Sequence, residues 1–99
     1  MKKNNYYILV IDEGITKRNL VSGYIIDEST MIYSPDYRKW LVIDVPTGIR
    51  LLGNCFETRS EGVKQYYDFY ETAKKVREAE NYQKHIARFN NSPLLYPEF

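Results

Sequence analysis

The hydrophobic pattern changes period once along the chain, from alternation in the first half to helical spacing in the second. Tyr6-Tyr7-Ile8-Leu9-Val10-Ile11 is dense in aromatic and β-branched residues and stops at Asp12-Glu13-Gly14, which predicts a well-buried first strand ending in a turn. Leu20 to Asp27 predicts a second strand, and Asp27-Glu28-Ser29-Thr30 supplies turn chemistry into a short third, Thr30 to Tyr33, that Ser34-Pro35-Asp36 stops. The strongest local signal follows. Lys39 to Val45, Pro46-Thr47-Gly48 and Ile49 to Leu52 spell a hairpin in which proline presets one corner and Gly48 takes a left-handed position. Alternation sets Leu41, Ile43 and Val45 on one face, the expected core face, and Trp40, Val42 and Asp44 on the other.

Thr58-Arg59-Ser60-Glu61 reads as a capping box, so a helix is expected from about Arg59. Val63, Tyr66, Tyr70, Ala73 and Val76 form an apolar stripe that Tyr82, Ile86 and Phe89 extend. Its mean spacing is about 3.3 residues against about 3.6 in a straight helix. Either the stripe drifts around one helix or the helix breaks near Asn81. Asn90-Asn91-Ser92-Pro93 ends the pattern, and residues 90–99 are expected to form an extended tail that packs back on the domain or docks on a partner. The expected fold class is α+β: an antiparallel sheet of about four to five strands, a meander plus a hairpin, followed by and packed on one long C-terminal helix. A chain of 99 residues is expected to make this a single domain, 1–99.

Composition narrows the classes. A hydrophobic fraction of 43% and a charged fraction of 27% are those of an ordinary globular chain, so neither disorder nor membrane embedding is expected. No stretch approaches the roughly 20 apolar residues of a membrane span. The run Ile8 to Ile11 is too short for a secretory core, and the single cysteine, Cys55, forms no internal disulfide, so a cytoplasmic location in a bacterial host is expected. A net charge of +1 lacks the global field of a dedicated nucleic-acid binder or a DNA mimic, which leaves only local charged surfaces. Ten tyrosines, with many Lys, Asn and Ile, fit AT-rich coding, as in a low-GC bacterium or its phage.

Candidate chemistry is sparse. Asp12-Glu13 and Asp27-Glu28, with Asp44, are acids at strand ends that would have to gather to hold magnesium or hydrolyse a bond, and as turn residues they read as solvated. His85 has no metal-ligand spacing around it, and a Cys55–His85 couple would need the hairpin end to meet the late helix. Cys55 reads instead as a buried thiol and His85 as a surface imidazole. The glycines are scattered and form no phosphate loop. No enzyme activity, metal or cofactor is expected.

Aromatic and basic residues coincide twice. Tyr37, Arg38, Lys39, Trp40 and Arg50 are candidates for the exposed face of the hairpin, where rings stack on bases or fill protein hot spots and arginine meets phosphate or base edges. Lys74, Lys75, Arg77, Lys84 and Arg88 thicken positive charge along the later helix, where a solvated face is the plainer reading.

Lys39-Trp40, the Val45–Gly48 turn, Leu52-Gly53, Phe56, Thr58, Glu61 and Tyr67-Asp68 stand in an order that resembles the APETALA/ethylene-response-factor DNA-binding domain over about a third of the chain. That resemblance implies three strands packed on one helix, with a sheet face reading the DNA major groove and contacts at Arg38, Trp40 and Arg50. Asn54-Cys55 is an insertion in that order, and Asp44 occupies a face that should carry basic readers. In size, composition and lack of catalytic motifs the chain also resembles small phage and mobile-element inhibitors, anti-CRISPR proteins among them. This second resemblance implies a non-enzymatic protein that binds a host protein, a nuclease or a nucleoprotein complex, and blocks it. Direct DNA or RNA binding through the hairpin face is the alternative.

Overall fold

The computed structural model describes residues 2–36 and 38–97. Five strands, β1 (Lys3–Asp12), β2 (Ile15–Asp27), β3 (Thr30–Tyr33), β4 (Leu41–Asp44) and β5 (Ile49–Arg50), precede three helices, α1 (Arg59–Asp68), α2 (Tyr70–Glu78) and α3 (Tyr82–Asn91). The strands pair antiparallel in chain order, β1-β2-β3-β4-β5, so the meander and the hairpin form one sheet. The α+β class and the strand order match the sequence expectation. The single long helix does not: it divides at Phe69 and again over residues 79–81.

The first strands are longer than their apolar cores, because β1 and β2 pair from Lys3↔Tyr24 to Asp12↔Ile15 across polar residues. The start of β2 serves β1 and its end serves β3, with a register shift between Ile25 and Asp27. A bulge of this kind bends a strand. The sheet curls until the Leu9 N–H donates to the Gly48 carbonyl at 2.8 Å, which brings the outer edge of β1 against the β4–β5 turn.

The curl buries both sides of the middle strands. Inside it, Ile8 meets Met31, Tyr33, Leu41 and Ile43 across strands that are not neighbours. Against the opposite face, Ile32 and Val42 pack with Phe56, Tyr66 and Ala73. The expectation of one core face on β4 is therefore corrected: Leu41 and Ile43 line the inner cluster, and the helix layer covers Val42 and Asp44. Trp40 is half-buried beside that second cluster, tied by a reciprocal backbone pair to Phe56 at 2.7 and 2.9 Å.

Helix α1 begins as its box dictates, with the Thr58 hydroxyl accepting from the Glu61 N–H. Gly62 is required in its first turn, where a Cβ would stand 2.5 Å from Ile32 Cδ1. The inward positions of α1 and α2 are Gly62, Tyr66 and Ala73, whereas Tyr70 and Val76, expected in the core stripe, are 40% and 47% exposed. After α3 the tail packs back: the Arg18 N–H donates to the Pro93 carbonyl and the Leu95 N–H to Arg18, a parallel bridge along the free edge of β2. The end of the tail, residues 98–99, lies outside the described residues.

Gly48 closes the curl with a φ of +65°, and a Cβ there would lie 2.5 Å from Phe89 Cε2 and 2.8 Å from the Leu9 nitrogen. Gly48→Ala should cost about 2 kcal/mol or more, combining left-handed strain with overpacking. Gly53→Ala, with open space at its Cβ, should stay within about 0.5 kcal/mol of wild type. Urea midpoints measure both, and equal midpoints would contradict the closing role of Gly48.

Candidate functional site

The helix layer is fastened to the sheet through one buried polar network rather than through apolar contact alone. Asp44, at the end of β4, is 3% exposed. Its Oδ1 accepts from Arg77 Nε at 2.8 Å, while Oδ2 accepts from the Thr47 hydroxyl at 2.8 Å and the Tyr82 hydroxyl at 2.7 Å. The Arg77 guanidinium also donates to Thr30 Oγ1 at 2.7 Å, the Ser29 carbonyl at 3.1 Å and the Tyr66 oxygen at 3.2 Å. Tyr66 in turn donates to Asp27, which accepts as well from the Ser29 N–H. Each helix supplies one member: Tyr66 from α1, Arg77 from α2 and Tyr82 from α3. Their sheet-side partners come from β2, β3, β4 and the turns between them.

Burial works against the Arg77 charge, but the hydrogen bond to Tyr66 and the Asp44 carboxylate outweigh it and raise its pKa. Burial likewise works against the Asp27 carboxylate, yet the bonds from Tyr66, Ser29 and Thr30 and the Arg77 charge hold its pKa below the ordinary value. Burial and Asp27 raise the Tyr66 phenol, and burial with Asp44 pushes Tyr82 up to about 12. At neutral pH the arginine is a charged donor and both phenols keep their protons. General acid–base catalysis asks instead for a group poised near the working pH, so these shifts describe a clamp.

The sequence-derived candidates scatter around this clamp. Arg77, expected as an exposed cation of the basic helix flank, is turned inward and is corrected to a structural residue. Lys74 reaches Glu71 at 3.9 Å on the surface, and Lys75 and Lys84 are exposed. Arg38 and Lys39 are exposed, with their N–H groups donating to Asp36, whereas Tyr37 lies outside the described residues. Arg50 and Trp40 do not share one exposed hairpin face. Arg50 pairs opposite Ile43 and joins Arg88 and His85 in a groove of about 320 Å3 between β5 and α3, above Asp44 and Tyr82. Trp40 lies at the other end of β4, where its ring is 6.2 Å from that of Tyr24.

Cys55 is exposed, where burial was expected, and it does not line the groove that holds His85. Of the strand-end acids, Asp12 pairs with Lys17 at 2.8 Å, and Asp27 and Asp44 are joined only through Tyr66 and Arg77. Among the described residues no group of three or more His, Cys, Asp and Glu side chains is placed to hold a metal ion. None of their helices is long and apolar enough to cross a membrane.

Two clusters escape the sequence reading. Tyr67, Phe69 and Tyr70 surround the α1–α2 junction and are 55%, 50% and 40% exposed. Lys3 and Arg59 approach the Tyr24 ring at 6.0 and 4.1 Å from its centroid. A capped helix start near Arg59 is visible in the sequence, but its contact with Tyr24 depends on the tertiary fold. No protein-family model, curated protein or solved structure matches the chain.

The Tyr82 phenol, ordinarily near 10.0, is raised to about 12 in the fold, so its bond to Asp44 contributes fully below pH 10 and is lost as pH rises towards 12. Wild-type protein should therefore lose thermal stability across that window faster than Tyr82→Phe, which is less stable at neutral pH and has no such phenol to ionise. Parallel Tm curves for the two proteins from pH 9 to 12 would contradict the assignment.

Proposed function

We propose that the chain is a non-enzymatic binding protein of phage or mobile-element origin that occupies a host nucleic-acid enzyme, such as a defence nuclease or its nucleoprotein complex, and blocks it. The observation that carries this reading is the exposure of Tyr67, Phe69 and Tyr70 together at one helix junction. Exposed aromatic residues supply large contact area at small entropic cost and dominate hot spots. Asp68 and Glu71, both exposed, stand among these rings. Rings interspersed with carboxylates complement the basic, base-stacking groove in which such an enzyme holds its strand.

Phe69→Ala/Tyr70→Ala removes rings that are half in solvent and should leave Tm nearly unchanged while weakening partner binding at least about tenfold. The experiment is capture of a nucleic-acid enzyme from bacterial lysate by the immobilised chain, followed by an activity assay of that enzyme. Equal capture by the double variant, or turnover of a substrate by the chain itself, would contradict the reading.

Direct binding of single-stranded nucleic acid is the second reading, favoured by the Tyr24 ring with Lys3 and Arg59 against it and Trp40 beside it. Under that reading Trp40→Ala costs about 1–3 kcal/mol with a single strand and affinity falls linearly in log salt. Arg50→Ala, at the far end of the sheet, changes little. Flat anisotropy titrations at low salt would remove this second reading.

A further inference from the structure

A cavity of about 470 Å3, inside the range of about 300–1,000 Å3 typical of small-ligand sites, opens past the end of the β2–β3 pairing and is lined from both the inner side of the curled sheet and the side that carries Tyr24 and Trp40. Three kinds of group converge on it. Ile8, Val10 and Val21 give it apolar walls, and the rings of Tyr24, Tyr33 and Trp40 give it flat ones. Asn19 and Ser34 add hydrogen-bonding side chains beside Ser22, whose hydroxyl already donates to Asn5 Oδ1 at 3.0 Å, and the Ser34 hydroxyl is buried without a partner among the described residues. A buried hydroxyl in that state carries an uncompensated desolvation penalty, which a polar ligand edge relieves. Charge is the third element. Among the described residues Lys3 is the one charged residue lining the cavity, and the Arg59 guanidinium lies 4.1 Å from the centroid of the Tyr24 ring that Lys3 also approaches.

We propose that this cavity is a nucleotide site, with the base held against Trp40 and Tyr24 and the phosphate paired with the Lys3 ammonium. A lipid tail would leave Asn19 and Ser34 unsatisfied. A cationic ligand would meet Lys3 with no carboxylate among the described lining residues to offset it. A flat heteroaromatic ring with donors and acceptors on its edge and an anion attached satisfies the rings, the amide and hydroxyl, and the lysine together. The nucleotide is either free or a unit of a single strand, since both present the same chemistry. The site is independent of the helix-junction face read above as protein-binding, and it rests on the same Tyr24, Lys3 and Trp40 groups as the second, single-strand reading.

Trp40 is the only tryptophan of the chain, so its fluorescence reports the cavity directly. The test titrates the protein with each of the common nucleoside monophosphates, the matching nucleosides, inorganic phosphate and a single strand of about ten nucleotides, with calorimetry as the second readout. At least one monophosphate should saturate, with its nucleoside at least about tenfold weaker, the loss expected on removing one charge-assisted contact. Lys3 is exposed, so Lys3→Ala keeps the wild-type Tm and should bind the same monophosphate about tenfold more weakly. Ser34→Ala should alter the preference among bases. A single strand that binds more tightly than the monophosphate assigns the site to a strand, and the reverse assigns it to the free nucleotide. Failure of every monophosphate and of the strand to saturate by both readouts, inorganic phosphate binding as well as the nucleotides, or unchanged affinity in a folded Lys3→Ala protein would each overturn the proposal.

Discussion

The ion pair between Arg77 and Asp44 is the constraint on which the arrangement of the helices depends. A carboxylate almost fully withdrawn from water at the end of a four-residue strand is costly unless its charge is met, and a guanidinium is the group whose planar fork meets it while reaching further acceptors. Arg77 uses that fork on β3, on β4 and on the Tyr66 oxygen at once. Such a cluster adds less net stability than apolar packing would, but it penalises every other docking of the helices, because displacement strands a buried charge. The helix layer therefore has one register on the sheet.

With the register fixed, the division of surface follows. The inward side of α1 and α2 is narrow, made of Gly62, Tyr66, Ala73 and Arg77, so the large rings of Tyr67, Phe69 and Tyr70 are left at the surface. On the other side of the sheet, the curl that brings Leu9 to Gly48 packs Ile8 against Leu41 and Ile43, and a cavity runs from there past the end of the β2–β3 pairing to Tyr24 and Trp40 on the helix-facing side. The exposed ring cluster and the cavity lie on different layers, and the clamp between the layers carries neither. Their separation leaves the exposed ring cluster and the cavity free of each other in a chain of 99 residues.

Much of the sheet was legible in the sequence because its signals are local. Strand β3, the turn with left-handed Gly48, and the Thr58 cap stand where residue chemistry places them. The helices were less legible because the eye follows large apolar residues. The stripe through Tyr70 and Val76 gave too short a period, whereas the true inward set recurs near helical spacing but is made of glycine, tyrosine, alanine and arginine. Arg77 reads as one more cation until Asp44 is known to be buried, and Asp44 is buried only because helices cover a face that alternation assigned to solvent. The break at Phe69 carries no Gly or Pro to announce it. The Tyr24 contacts with Lys3 and Arg59 join residues far apart in the chain, and no local pattern contains them.

A double-mutant cycle on Asp44→Asn and Arg77→Met, followed by chemical unfolding, tests the clamp most directly. Each single change should cost about 3–5 kcal/mol, since it leaves a buried polar group without its partner. The double variant should be more stable than the sum of the two losses predicts by at least about 1 kcal/mol. Additive losses, or single variants as stable as wild type, would show that the helices hold their register without the pair.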